Sequence, residues 1–404
     1  MERFWQHIDE GWLDYVLLAL VGRTVLSFLP PGRVGGTRPM ELALTLAVSV
    51  LLGQMAMLWT VSVLPELEHG QRWWFSAPWL ALGALRWWTR PHAFVAGEPI
   101  PAARDARART PAGLVVLLAS ASPLWWVPNE TRDDLAGRAM ASIGLFLIAV
   151  VCLHALHMAR RALAGRVLIV VLLVTTPALR ESVFHLPTLP TAFVALACAG
   201  LIGWTRRADP RHAALAAFGA AATYPYSPTT WLAGLVTLAL FSHNHARRRA
   251  LFMALGLSVV FVAPIGWLGS AAAVRLTHAS DLPILAPSLW EALERRELWG
   301  LVWHACALAI VAALAGVRGG RTKEMGPRAG EAPRPGIELL AVVVFAALAF
   351  AAHAALRFAP ANVIAEHARP TWLGLLAMLL PAPALVLALV FTPGERSAER
   401  GDAV

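Results

Sequence analysis

The chain has 404 residues, of which 58% are hydrophobic and 15% are charged, and its mean hydropathy is +0.60. Soluble globular domains carry about 25% charged residues, so this composition argues against a soluble fold. The formal charge of +9 does not indicate nucleic-acid binding. The basic residues are confined to short loops between apolar blocks, where membrane lipids with anionic headgroups are the natural partners.

Apolar blocks of membrane-spanning length follow one another along the whole chain. A transmembrane helix needs about 20 predominantly apolar residues. The predicted spans are 15–30, 41–64, 111–127, 138–158, 166–180, 189–205, 250–272, 299–317, 337–357 and 371–392. The pattern predicts an all-α, polytopic integral membrane protein with about 11–13 transmembrane helices.

Two regions are less regular than the other apolar blocks. Residues 73–88 are short, flanked by tryptophans and interrupted by Pro78, so they either cross obliquely or lie at the interface. Residues 212–242 contain two apolar stretches separated by the sequence TYPYSPTT. Two prolines so close together break a helix, which predicts a helical hairpin with its tip at or below the outer surface.

Arginine clusters alternate with acidic linkers and predict the orientation of the spans. The clusters are Arg33/Arg38, Arg86/Arg90 with Arg104/Arg107/Arg109, Arg160/Arg161/Arg166, Arg206/Arg207/Arg211, Arg247–Arg249 and Arg318–Arg334. Because basic loops remain cytoplasmic, all six are assigned to the inner side of a bacterial cytoplasmic membrane. The predicted outer loops are 65–72, 128–137, 181–188, 223–230, 273–298 and 358–370, with the N-terminus outside and the C-terminus inside.

We predict a single membrane domain over residues 1–404, since no polar insert is long enough to fold alone. Its parts are N-terminal spans at 1–110, a core at 111–272, an outer loop with a surface helix at 273–298, and C-terminal spans at 299–404 with a cytoplasmic linker at 319–336. Small residues, as in AALAAFGAAA, allow helices to pack closely in lipid.

The outer loop that contains NETRDD is the most suggestive polar segment. It places Glu130, Asp133 and Asp134 before a predicted span that begins at Arg138, which is itself a candidate contact to substrate. Neighbouring carboxylates can bind a divalent cation, and they can take a proton from an attacking hydroxyl because each raises the pKa of the other. The alternative is that Asp133 or Asp134 caps the following helix, a role that explains Glu130 less well.

A second outer group consists of Arg180, Glu181 and His185. Arg180 could contact a phosphate or pyrophosphate through two parallel hydrogen bonds. The alternative is a structural Arg180–Glu181 ion pair, with His185 as an interfacial histidine.

Two further outer segments carry candidate contacts to substrate. Tyr224 and Tyr226, in TYPYSPTT, suit a sugar face or a lipid headgroup, although anchoring at the interface explains them equally well. In the 273–298 loop, Arg295 could meet a phosphate, but an intrahelical Glu291–Arg295 pair is the default expectation.

The sequence from about 137 to 242 resembles the core of the C-type membrane glycosyltransferases that use polyprenyl-phosphate donors. The resemblance runs from GRAMASIGLF through the basic turn ARRALAGR, the Pro-terminated VTTPALRESVFHLPTLPT, the basic turn TRRADPRH and the tip TYPYSPTT. It covers about a quarter of the chain and consists of pattern more than of catalytic motifs.

The resemblance implies transfer of a sugar from a polyprenyl-phosphate donor to an acceptor on the outer face, with inversion. The catalytic residues would be Glu130, Asp133 and Asp134, with Glu130 or Asp133 holding a divalent cation if one is used. Here the acidic loop is unusually short, and Thr188 or Thr191 replaces an aspartate often found in the family. A noncatalytic scaffold or polysaccharide-assembly component therefore stays open, with a transporter as a weaker third alternative because intramembrane charge and repeats are lacking.

Overall fold

The computed structural model describes a helical protein. The described residues are 12–28, 45–53, 56–57, 60, 72–89, 106–121, 135–179, 188–207, 209–242, 245–269, 275–276, 282–319, 336–357 and 364–392. All the long elements in these ranges are helices, so the all-α prediction is confirmed.

The helices of the first half are α1 (Trp12–Phe28), α2 (45–53), α3 (Arg72–Thr89), α4 (Ala106–Ser120), α5 (Leu135–Met158), α6 (Leu163–Val174), α7 (Thr188–Arg207) and α8 (Pro210–Ala222). The second half contains α9 (Pro228–Leu240), α10 (His245–Gly269), β1 (Arg275–Leu276), α11 (Leu282–Leu293), α12 (Arg296–Trp299), α13 (Val302–Gly319), α14 (Gly336–Ala355), β2 (Leu356–Arg357), α15 (Ile364–Leu379) and α16 (Pro381–Phe391). Each predicted span overlaps at least one of these helices.

A membrane crossing requires a helix of about 20 predominantly apolar residues. Among the described helices, α14 alone meets that requirement, and a second span results if the pair Trp372–Leu379 and Pro381–Phe391, bent by 42°, counts as one. Shorter apolar helical stretches lie at Val16–Val25, Ser142–Met158, Leu163–Val174, Pro228–Leu240 and Val302–Ala315.

Two predictions at prolines need correction. Helix α3 runs through Pro78 without a break, because losing one backbone donor interrupts a single hydrogen bond of an 18-residue helix. The predicted span 371–392 is instead two helices that meet at Leu380, immediately before Pro381. The first of them begins at Ile364, so the predicted outer loop 358–370 extends too far.

Helix α7 lies at the centre of the bundle, and every residue from 190 to 205 is buried. It packs against α5 on one side and most extensively against α8. A Cβ on Gly219 of α8 would lie 2.5 Å from the Ala197 backbone nitrogen, and one on Gly200 would collide with the backbone of Ala216. The glycines thus let the two backbones touch, as the small-residue pattern predicted.

One end of the bundle, which we call the arginine end, gathers five helix termini. Arg206, near the end of α7, contacts the Met158 carbonyl at the end of α5 and the Glu338 carboxylate at the start of α14. Arg161, just before α6, donates to the carbonyl of Thr392, which follows α16. The predicted topology assigns all five termini to the cytoplasmic side, and the structure brings them together.

The opposite end, which we call the tyrosine end, carries the turn at 223–227. Helix α8 starts three residues after Arg207 and runs away from the arginine end to this turn. Helix α9 then returns, and Ser242, just beyond it, accepts a 3.0 Å hydrogen bond from the indole of Trp204. Strands β1 and β2 pair antiparallel at the far end of α14, with Arg275 opposite Arg357.

Candidate functional site

The structure describes a minority of the predicted site residues. Glu130, Asp133 and Asp134, and also Arg180, Glu181 and His185, lie outside the described residues. Arg138 lies in α5, but the structure describes only its backbone. The remaining predicted contacts, Tyr224, Tyr226 and Arg295, are described and can be placed.

The turn at 223–227 is a compact break between helices α8 and α9. Helix α8 ends because Pro225 cannot donate a backbone hydrogen bond, and Pro228 starts α9 at a position where its missing N–H is not needed. Ser227 caps α9, and its Oγ accepts from the Thr230 backbone at 3.3 Å. The Thr230 hydroxyl also donates to Ser227 Oγ at 2.9 Å. The predicted helical hairpin is therefore confirmed, and its tip is internally hydrogen-bonded.

Both tyrosines are half-buried against the core. The ring of Tyr224 meets that of Trp231 edge to face, with centroids 5.3 Å apart and planes at 88°. The indole of Trp231 in turn donates to Ser258 Oγ on α10 at 2.8 Å. Tyr224 is thus positioned by packing and presents its remaining surface at the tyrosine end.

Arg295 lies between α11 and α12, and its side chain is 34% exposed. Its Nε is 4.0 Å from a carboxylate oxygen of Glu297, which is itself 69% exposed. Among the described side chains no ion pair joins Arg295 to Glu291, so the expected i,i+4 pair is wrong. The reason is that α11 ends at Leu293, and the two residues do not share a continuous helix. An exposed pair of this length contributes little to stability, and Arg295 remains accessible.

A cluster of aromatic rings near the tyrosine end was not predicted. Trp303 on α13 meets Phe350 on α14 edge to face at 5.6 Å, and Phe350 stacks on Trp372 of α15 at 6.4 Å. The ring of His353, one turn beyond Phe350, is 5.0 Å from that of Trp372. Aromatic residues near the outer ends of three predicted spans were the available signal, but one sequence does not show that they meet.

The arginine end contains the best-defined polar cluster. The Arg206–Glu338 ion pair is largely buried, with side-chain exposures of 15% and 9%. Arg206 Nη1 also donates to the Met158 carbonyl at 2.5 Å. A cation at the C-terminus of α5 is stabilised by unsatisfied carbonyls and by the helix dipole. The pair therefore ties α5, α7 and α14 together at one level of the bundle.

Arg161 and Arg166 extend this cluster along the start of α6. Arg161 Nη1 donates to the Thr392 carbonyl at 2.9 Å, so it satisfies the C-terminus of α16. Burial lowers the pKa of Arg161, the carboxylate of Glu338 opposes that shift, and the charge of Arg206 adds to it. Arg166 is buried and lies 2.7 Å from His157 Nδ1. The arginine pattern predicted that these residues share one side; it did not predict Glu338, the partner of Arg206, which is an acidic residue at the start of an apolar block.

Within the described part of the chain, no three or more His, Cys, Asp or Glu side chains gather into a group that could hold a metal ion. The three cysteines, Cys152, Cys198 and Cys306, are buried and unbridged. The predicted metal ligands Glu130 and Asp133 lie outside the described residues, so a cation there remains a prediction. Comparisons with protein-family models, with curated proteins and with solved structures find no match to this chain.

Proposed function

We propose that the chain is a polytopic integral membrane protein and that its arginine end faces the cytoplasm of a bacterial cell. The observation that carries this proposal is the apolar exterior of the bundle. Large hydrophobic side chains are more than 50% exposed on α4, α6, α10 and α13, for example Leu114, Leu168, Phe252 and Leu308. Soluble monomers rarely expose contiguous apolar surface of this extent, whereas lipid tails solvate it.

The distribution of charge supports the same arrangement. The described arginines at the ends of α5 and α7 and at the start of α6 gather at one end of the bundle, as expected when basic residues are retained on the cytoplasmic side. The sides of the described helices are mainly apolar, with Arg23 in α1 as an exception. Helices such as α6, with 12 residues, would cross together with their flanking residues, with a tilt or as part of a broken span.

For activity, we propose transfer of a sugar from a polyprenyl-phosphate donor to an acceptor at the tyrosine end. The resemblance of residues 137–242 to C-type glycosyltransferases is the source of this proposal. The course of the chain supports it: α5 and α7 both begin at the tyrosine end, and the segments holding Glu130 and Arg180 directly precede these helices in sequence. The proposal therefore assigns the catalytic carboxylate and Arg180 to the tyrosine end of the bundle.

The reaction follows from the chemistry of those residues. A carboxylate, with Glu130 as first choice, takes the proton of the acceptor hydroxyl, whose oxygen forms a bond to the anomeric carbon as the bond from that carbon to the phosphate oxygen breaks. The polyprenyl phosphate leaves with the electron pair. Arg138, Arg180 or Arg295 would stabilise its charge, since a guanidinium can make two hydrogen bonds to a phosphate. Tyr224 and Tyr226 would contact the sugar.

A noncatalytic scaffold is the second candidate, and one observation favours it. The best-defined polar cluster that the structure describes, Arg206 with Glu338 and Met158, joins helix ends, and its carboxylate is held by Arg206. A protein that kept the fold and lost the reaction would have the same cluster. A transporter is a weaker third candidate.

Two experiments test these proposals separately. Alkaline carbonate extraction of cell membranes should leave the protein in the pellet, and release into the supernatant would reject the membrane proposal. Purified protein should then be incubated with several radiolabelled polyprenyl-phosphate sugars. Turnover of any donor supports the transferase, whereas a membrane-embedded protein that turns over none of them supports the scaffold.

A further inference from the structure

Among the described residues around the α5–α6 turn, Arg161 and Arg206 share one nearby carboxylate, that of Glu338, while Asp209 at the start of α8 pairs with Arg211. The Glu338 carboxylate is bonded to Arg206, while Arg161 is within its electrostatic range. Arg161 Nη1 donates a hydrogen bond to the neutral Thr392 carbonyl, and within the described residues its buried Nε has no hydrogen-bond partner. A partly buried guanidinium in this position is expected to attract an anion.

The neighbouring Arg160 occupies a position that normally belongs to glycine. Its φ is +51°, in the left-handed region, and the Arg161 backbone N–H reaches back to the Leu156 carbonyl at 3.1 Å. This is the motif with which glycine commonly ends a helix, because a Cβ disfavours the left-handed conformation. Arg160 therefore adds an exposed charge beside Arg161. Glycine at this position would adopt the left-handed backbone conformation without the steric cost of a Cβ.

The start of α6 adds donors to the same turn. The N-cap is Ala162, whose side chain makes no capping hydrogen bond. The first backbone N–H groups of a helix have no acceptor inside the helix, and the dipole there favours negative charge. The two arginines and these donors are consecutive in the chain and belong to one turn.

The surface next to this turn is suited to lipid chains. Leu168 and Leu172 lie on the side of α6 that faces away from the bundle, and they are 59% and 53% exposed. Helix α4 packs against α6 and exposes Leu114, Leu117 and Leu118. An anion-binding turn at the end of an apolar surface matches a molecule with a phosphate head and acyl chains.

We propose that the α5–α6 turn, through Arg160, Arg161 and the start of α6, binds the headgroup phosphate of an anionic phospholipid whose acyl chains lie along Leu168 and Leu172. The site rests on the proposed membrane location but not on the transferase activity. It belongs to the arginine end, so it is distinct from the proposed donor site at the tyrosine end.

The test uses the full chain purified in detergent. Its melting temperature should be measured with added phosphatidylglycerol, phosphatidylcholine or inorganic phosphate. Phosphatidylglycerol should raise the melting temperature clearly more than phosphatidylcholine, and inorganic phosphate alone should have little effect. An equal effect of the two lipids would overturn the proposal, and an equal effect of inorganic phosphate would reduce the site to an anion site without lipid specificity and overturn it too.

Variants locate the effect. Arg161→Gln and Arg160→Gly should each lose most of the response to phosphatidylglycerol, whereas Arg248→Gln, which changes an exposed arginine of α10, should keep it. Arg160→Gly is the decisive variant, because glycine suits the left-handed backbone and the lipid-free protein should melt no lower than wild type. If Arg160→Gly binds phosphatidylglycerol as wild type does, the proposal is wrong, even when Arg161→Gln fails to fold. Carbonate extraction of the same variants shows separately whether they remain in the membrane.

Discussion

Arg206 and Glu338 are 132 residues apart in sequence, yet their side chains form an ion pair at the arginine end of the bundle. The same guanidinium donates to the Met158 carbonyl, so one side chain joins three helices. The partner of a largely buried arginine is thus an acidic residue at the start of α14, which follows the Gly/Pro-rich linker 319–336 in sequence.

Removing one member of this pair should destabilise the fold strongly. Glu338→Ala leaves the Arg206 charge largely buried without its carboxylate, and such a change costs about 3–5 kcal/mol. The measurement is chemical or thermal unfolding of the detergent-solubilised protein. The double variant Arg206→Met/Glu338→Leu should lose less, since no charge is left unpaired. Glu291→Gln, at an exposed carboxylate, is the control and should stay near wild type; an equal loss in both single variants would contradict a specific role for the pair.

A methyl group added between α7 and α8 should destabilise the protein, because the two backbones are in direct contact. Gly219→Ala would place a Cβ 2.5 Å from the Ala197 nitrogen and 2.8 Å from the Phe193 carbonyl oxygen, so the helices must separate, at a cost of about 1–3 kcal/mol. Gly256→Ala on α10 is the matched control, because its Cβ would meet nothing within 4 Å. It should stabilise the helix by about 0.5–1 kcal/mol. Opposite shifts in melting temperature are expected, and a neutral Gly219→Ala would argue against this close packing.

Single cysteines can test the orientation. Thr131→Cys and Ala208→Cys fall in loops predicted on opposite sides of the membrane, so an impermeant thiol reagent applied from outside should label the first and spare the second. The native cysteines are buried, which keeps background labelling low. Labelling of both positions from the same side of intact cells would reject the topology, and permeabilised cells provide the control for reactivity.

The transferase proposal predicts a specific loss of activity at NETRDD. Glu130→Gln keeps the size of the side chain and removes its charge, so donor turnover should fall about 10²–10⁴-fold if the carboxylate is the general base. Asp133→Asn is the second choice. Expression and detergent stability should be nearly unchanged in both, with Glu291→Gln as the control for turnover. Normal transfer by both variants would make this loop structural.

Much of the fold could be predicted because its signals are local. Apolar blocks indicate where helices lie, and Pro225 and Pro228 mark the break between α8 and α9. Proline did not mark a helix break at Pro78, because α3 continues with one backbone hydrogen bond lost. The arginine clusters also predicted that five helix termini share one side, and the contacts of Arg161 and Arg206 bring those five together. The expected Glu291–Arg295 pair failed because it assumed a helix that in fact ends at Leu293.

The sequence by itself determined the helical class and the order of the helices, since each depends on composition over short windows. Only the tertiary structure decided that Arg206 pairs with Glu338, that Trp303, Phe350 and Trp372 form one aromatic cluster, and that α7 is the buried centre. These facts depend on which helices become neighbours. In a bundle of similar apolar helices, neighbours are selected by the fit of small residues and a few polar contacts between distant segments, which no local pattern in one sequence specifies.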